Sequence, residues 1–205
     1  MKQRWDIINW LIKERAYKNY LEVGTASGKC FTKIECEKKT CVDPQKKFED
    51  LTYEMTSDEF FKNNQEEFDI IFVDGLHEHS QVKKDIANSL MFLKQGGCLV
   101  IHDTNPPTYE NVVQHLKWNG DVYKAVVDMR ALSSISIFTL DTDWGCAVVF
   151  KGQMPEYQSY ACKPEDREWE NFDVKRKTLL NITEERDFKE IFAPKKKGFL
   201  SKIIG

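Results

Sequence analysis

The sequence predicts an α/β fold: a mostly parallel seven-stranded sheet with helices on both faces and an antiparallel C-terminal hairpin strand. Three observations predict it. Apolar runs of strand length alternate with helical spacings up to residue 118. The run Phe68-Asp-Ile-Ile-Phe-Val-Asp74 is apolar nearly throughout, as a strand covered by helices on both faces has to be. Beyond it, two strand-like runs at 134–140 and 144–150 flank Asp141-Thr-Asp143, which reads as a hairpin turn.

The elements follow in chain order. Residues 4–15 place Trp5, Ile8, Leu11 and Ile12 at helical spacing. Tyr20-Leu-Glu-Val23 is the first strand and ends at Gly24. Residues 29–38 read as a weak helix, and Thr40-Cys-Val-Asp43 as a second strand stopped by Pro44. Residues 53–56 offer a short third strand. Ser57–Asn63 reads as a helix capped by Ser57, with Phe60 and Phe61 on one face. After the 68–74 strand, residues 80–93 form a helix with Val82, Ile86, Leu90 and Leu93 on one side. Gly96-Gly97 ends that helix, and Cys98-Leu-Val-Ile101 starts the next buried strand. Residues 111–118 are helical. Alternating β and α units closed by a hairpin give a Rossmann-like layout. Residues 1–155 read as one ligand-binding domain, and 156–205 as a polar, irregular C-terminal extension with a frayed end.

A chain of 205 residues fits this single domain, and 41% hydrophobic residues supply a core. The net charge of −3 lacks the basic excess of a nucleic-acid binder, so no nucleic-acid partner is expected. Six cysteines form no C-x-x-C pair and no zinc-like cluster, which fits reduced thiols in a cytoplasmic protein. No apolar run approaches the roughly 18 residues of a membrane span, and the start lacks a signal-like apolar stretch.

The chemistry concentrates after the first strand, in Glu22-Val-Gly24-Thr-Ala-Ser-Gly28. Glycines there let the backbone turn sharply and approach a ligand. A dinucleotide fingerprint needs a further glycine between them, and Thr25, Ala26 and Ser27 fill those positions. A ligand without a phosphate, such as S-adenosylmethionine (SAM), asks instead for a loop curving around its methionine part and an acid near its ammonium. Glu22 can supply that acid. Asp43, about 20 residues on at the end of the second strand, suits the ribose hydroxyls. Taken singly, the glycines also fit an ordinary strand-to-helix turn, and Asp43 a cap before proline. Joined in one β-α-β unit, they favour a nucleotide-like ligand.

With Asp43-Pro44, Ser57-Asp58, the 68–74 strand and Gly96-Gly97, this loop resembles that of the class I SAM-dependent methyltransferases. The resemblance spans about residues 5–150. Val73-Asp-Gly-Leu-His77, Asp85 and His102-Asp103-Thr104 look like a subgroup of small O-methyltransferases. That subgroup includes sugar O-methyltransferases and is related in layout to catechol-type enzymes. The resemblance implies SAM as cofactor and a small-molecule acceptor, with a sugar hydroxyl among the candidates. Residues 55–58 would line the adenine. The candidate cofactor-binding residues are then Glu22, Gly24, Thr25, Gly28 and Asp43, joined by Ser57, Asp58 and Asp74.

Asp74 and Asp103 end neighbouring parallel strands, where ligands bind. Two converging carboxylates repel unless a cation or proton sits between them. Oxygen ligands of this kind suit Mg²⁺ or Ca²⁺. In the resembling enzymes such acids hold a divalent metal that orients the acceptor hydroxyl, with Asp or Asn as the next ligand. Here Thr104 stands in that place, so the metal set would be Asp74, Asp103 and Thr104, against plain strand-end carboxylates. The candidate catalytic residues are Asp74, Asp103 and His77, the last as general base at the mouth of the fourth strand. A loop histidine bonded to backbone is the other reading of His77. His102 should alternate away from Asp103, and His79 and His115 should be solvated.

Asn105-Pro-Pro-Thr108 is similar to a motif of amino-group methyltransferases but follows the wrong strand and lacks the aromatic ring. It reads as a rigid loop, with Tyr109 near an acceptor pocket. Two other functions stay open. An NAD-linked oxidoreductase could use a similar sheet, and the absent middle glycine stands against it. A non-catalytic SAM- or nucleotide-binding homologue is compatible with Thr104. The end of the chain, 195–205, combines lysines with Phe199, Leu200, Ile203 and Ile204. It reads as a solvated terminus or as a docking element for a second subunit in a homo-oligomer.

Overall fold

A computed structural model describes residues 1–113 and 117–193. Seven strands form its sheet: β1 (Asn19–Val23), β2 (Lys38–Asp43), β3 (Tyr53–Glu54), β4 (Phe68–Val73), β5 (Leu93–Ile101), β6 (Ile135–Leu140) and β7 (Cys146–Lys151). Their order is β3-β2-β1-β4-β5-β7-β6. The first five run parallel to one another, and β7 is antiparallel to both β5 and β6. Ile70, Ile71 and Phe72 point alternately to the two faces and are all fully buried, so the sheet is covered on both sides. Among the described residues no helix is long and apolar enough to cross a membrane.

The topology makes a site. From β1 the chain goes outward to β2 and β3, then returns across β1 to β4 and β5. This reversal opens a crevice at the C-terminal ends of β1 and β4. Register aligns Val23 with Val73 and Val73 with Ile101. The residues just past them, Gly24, Asp74 and His102, therefore lie side by side.

The helices α1 (Arg4–Arg15), α2 (Ser57–Asn63), α3 (His79–Phe92), α4 (Tyr109–Val113), α5 (Val122–Met129), α6 (Trp169–Leu179) and α7 (Glu185–Phe192) surround the sheet. α1 buries Ile7, Ile8, Leu11 and Ile12. Ala16, with φ of +53°, stops it in a left-handed turn. α3 packs on β4 and β5, and α5 packs on α3.

Several elements differ from expectation. The helix expected over 29–38 is a single 3₁₀ turn, Phe31–Lys33. Phe31, Thr32 and Ile34 lose side-chain freedom in a helix, and so short a segment does not sustain one alone. Thr56, not Ser57, caps α2, because Thr56 and Glu59 form a reciprocal capping box. Gly96-Gly97 does not end α3: that helix stops at Phe92, and both glycines lie inside β5. A Cβ at Gly97 would meet the Asp69 carbonyl at 2.5 Å, so the glycine serves close strand packing beside a register irregularity. α5 escaped notice because Val-Tyr-Lys-Ala-Val-Val-Asp-Met is only eight residues long and mostly apolar, a run whose short length does not separate helix from strand. Of the helix expected at 111–118, only the start is helical, in α4; Lys117, with φ of +55°, and Trp118 are not, and positions 114–116, including His115, lie outside the described residues.

The segment after residue 155 is not irregular. It forms a 3₁₀ turn, Pro164–Arg167, then α6 and α7. Phe172, Leu179, Phe188 and Phe192 enter the core. The Phe192 ring stacks on Phe150 of β7 at 4.4 Å. Phe188, Ile191 and Phe192 do follow helical spacing, but over only two turns. The segment 195–205 lies outside the described residues. Phe192 thus joins the sheet's core, and Phe192→Ala should destabilise the fold by about 3–5 kcal/mol, read by urea unfolding. A change below about 0.5 kcal/mol, as at an exposed surface position, would show that α7 is not part of the core.

Candidate active site

A cavity of about 650 Å³ lies over the ends of β1, β4 and β5. The first loop forms one wall. Gly24 has φ of +82°, and a Cβ there would meet the Asp74 carbonyl oxygen at 2.3 Å. Only glycine allows the two strand ends to pass so closely. Gly28, with φ of +74°, lies against the Phe48 ring, which a Cβ would meet at 2.6 Å. Asp43 fixes the loop: its Oδ2 accepts from the Thr25 N–H at 3.0 Å and the Ala26 N–H at 2.8 Å. Oδ1 accepts from the Gln45 N–H at 2.8 Å. A carboxylate has about four lone-pair positions, so this one keeps acceptor capacity for a further donor.

Glu22 lies under the loop, 1% exposed, and accepts a hydrogen bond from the Tyr20 hydroxyl. Burial pushes its carboxyl up to about 8, although the Tyr20 bond opposes the shift. Ser57 and Asp58 sit apart, in an adjoining cavity of about 250 Å³ that shares Gly24, Pro44 and Gly75 with the larger one. Gln81 joins them there, donating to Asp58 Oδ1 and Asp85 Oδ1, each at 3.1 Å.

Asp74 and Asp103 do converge, and protein groups occupy the space between them. His77 Nε2 lies 3.4 Å from Asp74 Oδ1 and 3.3 Å from Asp103 Oδ2. His77 Nδ1 is 2.9 Å from the Trp118 carbonyl oxygen, which can only accept, so Nδ1 carries a proton. A neutral ring would then turn its Nε2 lone pair toward two carboxylates. Burial disfavours the charged ring, but the Asp74 hydrogen bond and the Asp103 and Asp74 charges outweigh it and raise its pKa.

His102 does not alternate away. Asp103 has φ of +59°, and this left-handed residue turns both side chains inward. His102 Nδ1 donates to Asp103 Oδ2 at 2.8 Å and lies 3.2 Å from Asp74 Oδ1. Its pKa rises because the Asp74 charge, the Asp103 hydrogen bond and the Asp143 carboxylate, 3.7 Å from Nε2, outweigh its burial. The residue with no sequence signal is Arg4 of α1. Arg4 Nη1 donates to Asp74 Oδ2 at 2.6 Å, and Arg4 Nε to Asp143 Oδ2 at 2.8 Å. Arg4 Nη1 also comes 3.1 Å from His102 Nδ1. With Nδ1 donating to Asp103, that approach is a contact rather than a hydrogen bond. The positive charges of His102, His77 and Arg4 override burial and hold the Asp74 carboxyl far below the usual carboxylate range.

The remaining partners are also protein groups. Asn119 Nδ2 donates to Asp103 Oδ1 at 2.7 Å. Thr104 is fully buried, and its Oγ1 has no hydrogen-bond partner. Asn105 is fixed by donating to Asp141 and accepting from Arg176 Nη1, each at 2.8 Å. His79 is not simply solvated: its Nε2 bonds Asp128 Oδ2 at 2.9 Å, on the unexpected α5.

Asp74, His102 and Asp103 bring one potential ligand atom each within 4.8 Å of one another. Those atoms fit a divalent metal poorly. Mg²⁺ asks for oxygens in a near-octahedral shell. Here Arg4 holds one Asp74 oxygen, His77 and His102 crowd the other, and Asp103 is shared by His102, His77 and Asn119. A metal would add a double charge to a site already balanced by cations.

The raised pKa of Glu22 has a consequence for stability. The folded state binds its proton at pH values where the unfolded chain releases it. Stability is therefore fully present below the unfolded value and is lost as pH rises through about 8. Glu22→Gln should flatten the decline in unfolding free energy between about pH 5 and 8. Parallel pH profiles for the two proteins would contradict the assignment.

Residues 21–104 match the family described as "Methyltransferase domain". No curated protein matches the chain. Among solved structures, it is similar to the S-adenosylhomocysteine-bound methyltransferase PaMTH1 of Podospora anserina, at 16% identity and a TM-score of 0.57, over 75% of this chain and 80% of that one. An O-methyltransferase from Bacillus cereus, in complex with S-adenosylhomocysteine, aligns at 14% identity and a TM-score of 0.54, over 72% and 80% of the two chains. The O-methyltransferase TomG of Streptomyces achromogenes, involved in tomaymycin synthesis and in complex with SAM, aligns at 11% identity and a TM-score of 0.54, over 73% and 80%. At such identities these likenesses are of fold. The domain match covers residues 21–104, and the fold of the chain is the one these methyltransferase structures share.

Proposed function

We propose that the protein transfers the methyl group of SAM to a hydroxyl of a small-molecule acceptor. One observation carries the reading: a single cavity runs from the Gly24–Gly28 loop to Asp74, His77 and Asp103. The loop would curve around the methionine part, with Glu22 below its ammonium. An arriving ammonium favours the Glu22 carboxylate. Asp43, with acceptor capacity left, would take the ribose hydroxyls. The smaller cavity beside Ser57 and Asp58 would take the adenine.

On the far side of His77 and Trp118 lies a second cavity of about 410 Å³. Tyr109, Trp169 and Tyr123 line it together with Glu168, Lys124 and Arg167. Aromatic faces with a polar rim suit a sugar, whose ring stacks while its hydroxyls find hydrogen bonds. His77 borders both cavities, where an acceptor hydroxyl would meet the methyl carbon. The acceptor oxygen forms a bond to that carbon as the carbon–sulfur bond breaks, leaving a neutral thioether. Catalysis is mainly positioning, and the hydroxyl proton passes to His77 in its neutral form. Reduced cysteines fit a cytoplasmic setting for this chemistry.

Calorimetry should find SAM binding at micromolar strength, about −8 kcal/mol. Asp43→Ala should weaken it by about 1.5–3 kcal/mol. Folded protein that binds NAD and not SAM would overturn the reading. With a labelled methyl donor and an acceptor in hand, His77→Asn should lower kcat by about 10²–10⁴-fold and leave SAM affinity nearly unchanged. Because the His77 pKa is raised, the wild-type rate should climb with pH through a value above the ordinary imidazole range. A flat pH profile, or an unaltered kcat in His77→Asn, would remove His77 from the chemistry.

A further inference from the structure

We infer that Arg4 is the built-in cation of this site, taking the place of a divalent metal between the strand ends and the hairpin turn. Its guanidinium is the closest partner of Asp74, at 2.6 Å, and it reaches Asp143 through Nε at 2.8 Å. The Arg4 backbone N–H donates to the same Asp143 oxygen at 2.9 Å, so the start of α1 is fixed to the β6–β7 turn as well. That turn is shaped for the purpose: Asp143, Trp144 and Gly145 all have positive φ, at +47°, +69° and +86°. The side chain is about a fifth exposed and lines the large cavity. Arg4 is therefore a rigid cation beside the groups assigned to the chemistry, and it acts through Asp74 as a positioning residue.

The alternative is a metal that displaces it. A cation on Asp74 Oδ2 must either remove Arg4 or sit within hydrogen-bond distance of a guanidinium, where like charges repel strongly in a partly buried site. Arg4 cannot lose its proton to relieve that repulsion. Its three hydrogen bonds to Asp143, from the backbone N–H, Nε and Nη2, hold it in place when Asp74 is challenged. Thr104 supplies neither the charge nor the third carboxylate that would tip the balance toward a metal. The orphaned Thr104 hydroxyl lies against Gly145, in the hairpin that anchors Arg4.

The test is metal binding by the whole protein, followed by Mn²⁺ electron paramagnetic resonance with no methyl donor present. Wild type should bind no Mn²⁺ that Asp103→Asn abolishes. Arg4→Ala should gain a site at least about tenfold tighter than any in wild type. Arg4→Ala/Asp103→Asn should lose that site, and Arg4→Lys, which keeps the charge, should not acquire it. A wild-type Mn²⁺ site that Asp103→Asn abolishes would overturn the inference. So would an Arg4→Ala protein, folded by circular dichroism, that gains no site. Should Arg4→Ala fail to fold, the wild-type and Asp103→Asn titrations decide alone. A second readout rests on the proposed methyl transfer: wild-type turnover unchanged in chelator, and Arg4→Ala turnover restored in part by free guanidinium. Its failure alongside a correct Mn²⁺ pattern would count against the proposed function, not against Arg4.

Discussion

Everything at the mouth of this sheet depends on how three carboxylates tolerate one another. Asp74, Asp103 and Asp143 meet within a few ångströms because β4, β5 and the β6–β7 turn end at the same level. Facing them are Arg4, His77 and His102, each in contact with at least two acids. Three negative and three potentially positive groups balance. Removing any one leaves a poorly solvated charge without a partner, which is costly in a way that an exposed ion pair is not. The balance also explains backbone conformations that would otherwise be liabilities. Asp103 accepts a left-handed φ because the turn brings both His102 and its own carboxylate into the cluster.

The cluster in turn constrains chemistry. His77 is held through Nδ1 by the Trp118 carbonyl, so the nitrogen facing the cavity is settled by a backbone group rather than by chance. Its neighbouring acids favour the protonated ring, which sets the pH at which it can take a proton. On the opposite wall, Asp43 spends part of its acceptor capacity on the Thr25 and Ala26 amides, making the first loop a preformed cradle. The two cavities share His77 and Trp118, and under the proposed function they would give a methyl donor and its acceptor separate approaches to one point.

Much of this was legible in the sequence. Buried parallel strands are nearly all apolar, so β1, β2, β4 and the core of β5 stood out. The glycine loop, Asp43 and the strand-end acids followed from their place in that alternation. What the sequence hid has physical causes. α5 and α7 do have helical spacing, but each spans only eight residues, too short for two turns of it to stand out from the surrounding loops. The capping box at Thr56 and Glu59 was readable, yet the neighbouring Ser57 masked it. The sequence did indicate that Asp74 and Asp103 need a cation. It could not indicate which one, because Arg4 lies 70 residues from Asp74 and joins it only through the packing of α1 on the finished sheet.

The most direct measurement is a crystal structure of the protein soaked with S-adenosylhomocysteine and Mn²⁺, with anomalous diffraction locating the ion. The account predicts the thioether in the large cavity, its ribose on Asp43, Arg4 still bonded to Asp74 and Asp143, and no anomalous peak between the strand ends. A manganese peak between Asp74 and Asp103 with Arg4 swung away, or a cavity that excludes the nucleoside, would contradict it.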